Sequence, residues 1–172
     1  MKLEGIHHIT LITGDAPRNV DFYTRVLGLR LVKKTVNQDD PTVYHLFYAD
    51  EKGSAGADIT FFEYPNARRG RAGAGMVHRI TWRLGSADAL DFWEERLRAE
   101  GVGALERDGD RLRFEDPEGM GLELAVVETD DEPLVAEHPR VEVDVPGRVA
   151  RDQRDVVDPL ELHLPPFGIS EP

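Results

Sequence analysis

The sequence contains no cysteine, so a disulfide framework and a thiolate metal site are both excluded, and any metal must be held by nitrogen and oxygen. It has no apolar run long enough for a signal peptide or a membrane span, which makes the cytoplasm the expected location. Positive charge is scarce: 21 basic residues, far more arginine than lysine, against 33 acidic ones leave a net charge of −12. Long-range attraction to nucleic acid or to an anionic membrane surface is therefore not expected. At 172 residues and 40% hydrophobic composition, what is there suits one domain with a buried core, with or without a tail.

Strand and helix signals alternate in a repeated order. Gly5 to Thr13 is rich in β-branched residues and ends at Gly14-Asp15, so it reads as a strand. Asp15 caps a helix with Pro17 in its first turn. Val20, Phe22, Tyr23, Val26 and Leu27 form its apolar stripe, and Gly28 stops it in a left-handed conformation. Strands are expected over Leu29 to Val36, Thr42 to Ala49 and Ala57 to Glu63. After a Gly-, Ala- and Arg-rich loop from Asn66 to Ala74 the order returns: a strand over Gly75 to Leu84, then a helix capped by Ser86 and ended by Gly101. Strands over Ala104 to Arg107, Arg111 to Phe114 and Gly121 to Val127 complete it. The expected class is α+β, with two βαβββ modules at 1–67 and 75–128 forming a curved mixed sheet around a metal cavity. Residues 129–172, acidic and carrying seven of the 11 prolines, read as a C-terminal extension.

Candidate ligands come from matching the copies. His8 and His78 each lie seven residues before a residue taken to close their strand, Asp15 and Gly85, and so are assigned equivalent places. Thr60 aligns with Glu123, a carboxylate inside the apolar run Leu122-Glu-Leu-Ala-Val126. Strand parity sets Thr10 on the face of His8 and sends His7 to the other, and two imidazoles with a carboxylate suit a divalent ion with open positions. Glu63, three residues beyond Thr60, is expected to face away. His45 is read as a packed or exposed strand residue, and His138 and His163 sit in the tail without partners at ligand spacing.

Gly5-Ile-His-His-Ile-Thr10, Asp21-Phe-Tyr-Thr-Arg-Val-Leu-Gly28 and Asp116-Pro-Glu-Gly-Met-Gly-Leu-Glu123 resemble the glyoxalase, bleomycin-resistance and extradiol-dioxygenase superfamily over about residues 3 to 128, the vicinal oxygen chelate fold. Tyr44-His-Leu-Phe-Tyr-Ala-Asp-Glu51 and the paired His7-His8 are similar to the members that cleave hydroquinone rings. That resemblance implies iron(II) or manganese(II) on His8, His78 and Glu123, with His7 and Thr10 beside the metal, an aromatic dihydroxy substrate and dioxygen. Those relatives have four modules where this chain has two, so a homodimer sharing its site is expected; the alternative, which the Asn66 to Ala74 loop would also permit, closes the same cavity within one chain, and the sequence does not decide between them. They also carry a tyrosine where this chain has Arg113. A glyoxalase-like isomerase or lyase is weakened by Thr60, where a glutamate would serve; a non-enzymatic binding module would need no metal.

Overall fold

The computed structural model describes residues 7–53, 57–71 and 73–127; the expected extension at 129–172, with His138 and His163, lies outside them. The first module runs β1 (His8–Thr13), α1 (Ala16–Val20), β2 (Arg30–Val36), β3 (Tyr44–Ala49) and β4 (Asp58–Glu63). The second runs β5 (Arg79–Leu84), α2 (Ala87–Ala99), β6 (Glu106–Asp108), β7 (Arg111–Glu115) and β8 (Gly121–Val126). Each module makes its own four-stranded mixed sheet, ordered β1-β4-β3-β2 and β5-β8-β7-β6, with the first and last strands of the module parallel neighbours. The α+β class and the twofold βαβββ order are as expected. Among the described residues the two sheets form separate hydrogen-bonded ladders, and neither is closed.

The helix signals act where the sequence puts them. Asp15 accepts from the Arg18 amide and Ser86 from the Ala89 amide, 3.0 and 3.1 Å away, each satisfying one orphan donor of a first turn. Gly28 and Gly101 follow their helices with φ of 69° and 70°. After Val20 the first helix widens into a π-helical stretch, Asp21–Val26, where the Leu27 amide reaches back to Phe22. The Thr24 hydroxyl bonds to the Val20 carbonyl at 2.6 Å, competing with the α-helical ladder.

Parity then decides the core. Ile9, Leu11, Leu46, Tyr48, Ile59 and Phe61 face Phe22, Tyr23, Val26 and Leu27. Ile80, Trp82, Leu84, Leu112, Phe114, Leu122 and Leu124 belong to the same continuous core with Leu90, Trp93 and Leu97. Polar clamps join the modules. The buried Tyr23 hydroxyl donates to Asp116 at 2.9 Å, Glu118 accepts from the Thr13 hydroxyl and the Gly14 amide, and Arg96 donates to the Val26 carbonyl. With the apolar faces and helices so engaged, the opposite face of each sheet is left for chemistry.

Candidate functional site

On the first sheet that face starts with His8, the first residue of β1. The ladder pairs His8 with Asp58, Thr10 with Thr60 and Ile12 with Phe62 across β1 and β4, then Thr60 with Phe47 and Phe62 with His45 across β4 and β3. His8 and Thr10 are exposed, and the Thr60 hydroxyl donates to that of Thr10 at 2.9 Å, fixing its orientation. His7, just ahead of the strand, turns back so that its Nδ1 lies 2.7 Å from Nδ1 of His8. One ring must supply the proton of this bond, and Nε2 of His8 keeps a free lone pair only when its own Nδ1 donates and Nδ1 of His7 accepts. Glu63 points the other way, accepting from the Ala16 amide at 3.0 Å at the start of α1. Its predicted direction holds, and its work is at a helix end.

The corresponding face of the second sheet is different in kind. Glu123 pairs with Thr81 on β5 and with Arg113 on β7, and it is only 3% exposed. Its Oε1 accepts from Arg111 and from the Thr81 hydroxyl, while Oε2 accepts from Arg113 Nε at 2.8 Å and lies 3.6 Å from Arg79. Burial alone would raise the carboxyl pKa, but the hydrogen bonds from Arg113 and Arg111 outweigh it and hold Glu123 below the usual carboxylate range. The position where the relatives of the resemblance have a tyrosine thus carries one of the cations that neutralise this carboxylate.

The residue beside Thr81 and Glu123 on that face is Arg79, not His78. Counting seven back from the residue that actually caps each helix gives His8 from Asp15 and Arg79 from Ser86, so His78 is the counterpart of His7. The equivalence of His78 with His8 was counted from Gly85, one position ahead of the cap, and the register corrects it. His78 is exposed and precedes β5, and its carbonyl passes so close to Gly121 that a Cβ there would sit 2.7 Å from it.

These positions test the expected metal. His8 fits as one ligand, with a free Nε2 and its Nδ1 tied to a neighbour. Glu123 does not fit in this chain, because both its oxygens are taken by arginines. Among the described residues no three His, Asp or Glu side chains come together to hold a metal ion. One chain therefore supplies His8, His7 and Thr10 as a group and leaves His78 and Glu123 apart from them. Sequence reasoning missed His45, which shares the His8 face. Its signal was alternation within Tyr44 to Ala49, readable only once β3 is known to lie beside β4.

Residues 5–124 match the family described as the Glyoxalase/Bleomycin resistance protein/Dioxygenase superfamily. The chain is 47% identical over 132 residues to the "Putative ring-cleaving dioxygenase MhqA" of Bacillus subtilis (strain 168), covering 74% of this chain and 42% of that protein. It is 39% identical over 136 residues to the chlorohydroquinone/hydroquinone 1,2-dioxygenase of Sphingobium indicum, covering 75% and 42%. A crystal structure of a "putative dioxygenase" from Bacillus subtilis superposes with a TM-score of 0.66 at 44% identity, covering 72% of this chain and 41% of that one. The chain spans about two fifths of the length of the curated relatives it matches. Among the described residues no helix is long and apolar enough to cross a membrane.

Proposed function

The chain belongs to the Glyoxalase/Bleomycin resistance protein/Dioxygenase superfamily, and from that premise we propose that its first module carries one half of a ring-cleaving dioxygenase site acting on a hydroquinone or catechol with dioxygen. The observation that carries the reading is the identity to relatives named for ring cleavage, 39% to 48%, beside a family match whose residues 5–124 include the His8 face. A divalent ion, iron(II) or manganese(II), would supply the chemistry by binding adjacent substrate oxygens and bringing dioxygen beside them. His8 would hold that ion through Nε2. His7 fixes the imidazole through the Nδ1 contact, and the Thr60–Thr10 hydroxyl pair sets a donor on the same face. The face has no carboxylate at Thr60, which favours oxidative cleavage over a proton-shuttling isomerase.

Because no further ligands gather at His8 among the described residues, the proposed site is completed by a second surface. We infer a homodimer in which a second copy covers the His8 face and supplies the missing ligands, with Glu123 among them only if it exchanges its arginines for the ion. Anaerobic loading with iron(II), followed by oxygen uptake on a panel of hydroquinones and catechols, tests the activity. Uptake by the full chain and its loss in His8→Ala are expected, and no uptake on any member refutes the reading. Mixing His8→Ala with Glu123→Ala chains tests the shared site. Manganese binding regained after verified subunit exchange supports it, and none regained removes Glu123 from the ligand set.

A further inference from the structure

The His8 face does not end at Thr60. On β3, His45 stands beside Phe62 of β4, and its ring lies between Phe47 and Phe62, with centroids 4.0 Å from each and tilts of 38° and 34°. All three are half-buried, and Ile12, paired with Phe62, is 57% exposed, so the apolar surface continues to the edge of the sheet. A register shift between Leu31 and Lys33 adds one residue to β2, so Leu31 faces the core with Tyr48 while Lys33 joins the outer face opposite Phe47. Its ammonium lies 5.6 Å from the Phe47 ring centroid. Within this stack, Nε2 of His45 is shielded from solvent and has no hydrogen-bond partner among the described residues.

We propose that the stack of His45, Phe47 and Phe62, with Lys33 at its edge, is the wall on which a planar phenolic ring binds. Three features select that class of ligand. Tilted aromatic rings in an open face offer edge and face contacts that a flat ring satisfies and a puckered one does not. The ammonium complements the negative charge of a phenolate. A shielded polar nitrogen without a partner is costly in a purely structural stack, where phenylalanine would pack without that cost, and a turn of the His45 ring as the ligand binds would bring it to the ligand's hydroxyl. Burial holds the His45 imidazole below its usual pKa. The inference rests on the proposed dioxygenase reading for the kind of ring and adds which residues hold it.

The test uses the full chain under anaerobic conditions, with hydroquinone, 1,4-dimethoxybenzene and cyclohexane-1,4-diol as probes and binding followed by calorimetry or saturation-transfer NMR. The wild type should bind hydroquinone in preference to both others. Phe62→Leu should weaken hydroquinone binding about fivefold or more. His45→Phe should fold at least as stably as the wild type yet lose the preference for hydroquinone over its dimethyl ether. Equal hydroquinone affinity in wild type and Phe62→Leu, an unchanged preference in His45→Phe, or no binding by the wild type overturns the wall. Selective binding without oxygen uptake by the iron-loaded chain would leave the wall standing and refute the dioxygenase reading. Oxygen uptake with an unchanged KM in both variants would do the reverse.

Discussion

Replacing Glu123 by glutamine separates a structural carboxylate from a metal ligand. The side chain keeps its size, so no cavity forms. What is lost is the charge that draws Arg111, Arg113 and Arg79 together on one sheet face, where Glu123 is 3% exposed. Removing one member of a fully buried ion pair costs about 3–5 kcal/mol. The arginine side chains here are 30% to 49% exposed, so water screens part of their repulsion once the carboxylate is gone. A cost of about 2 kcal/mol at neutral pH is therefore expected, which at a slope of about 1–3 kcal/mol/M lowers the urea midpoint by roughly 1 M. The pH profile gives the sign independently. A carboxyl whose pKa is depressed by folding contributes stability above its unfolded pKa and loses it as pH falls through the folded one. The gap between wild type and Glu123→Gln should accordingly be full at neutral pH and close in acid. Paired urea melts at pH 7 and at successively lower pH measure it. A variant as stable as the wild type at neutral pH, or a gap that widens in acid, would show that the arginines do not depend on Glu123.

Tyr23→Phe removes the hydroxyl that ties the first module to Asp116. Leaving that buried carboxylate one donor short should cost about 1.5–3 kcal/mol in denaturant melts. A neutral result would mean the amides of Glu118 and Met120, both bonded to the other oxygen, suffice alone. Gly101→Val tests backbone conformation with packing held constant, since a Cβ there meets nothing within 4 Å while φ is 70°. A loss of about 1–3 kcal/mol is expected from the left-handed conformation alone, and none would place the helix end elsewhere.

Local chemistry sufficed for much of this protein. The caps at Asp15 and Ser86, the stops at Gly28 and Gly101 and the alternation that buries Ile80, Trp82 and Leu84 act over one turn or one strand, so they are legible residue by residue. The same is true of His8 and Thr10 sharing a face, and of the pairing of two βαβββ units. The π-helical widening at Asp21–Val26 left no comparable signal, because it depends on a balance of near-equal hydrogen-bond patterns that Thr24 helps to tip. Partners across strands were decided only by tertiary structure. His78 looked equivalent to His8 until the ladder to β8 set Arg79 on the face of Glu123, a one-residue difference that reverses the side of a strand. Glu123 resembled a ligand inside an apolar run until β5 and β7 brought three arginines to it. His45 and Lys33 joined the His8 face through the β3–β4 register and an extra residue in β2. Helix ends and buried faces answer to neighbours in sequence; the company a charged side chain keeps on a sheet is set by strand order and register, which a single chain of letters states only indirectly.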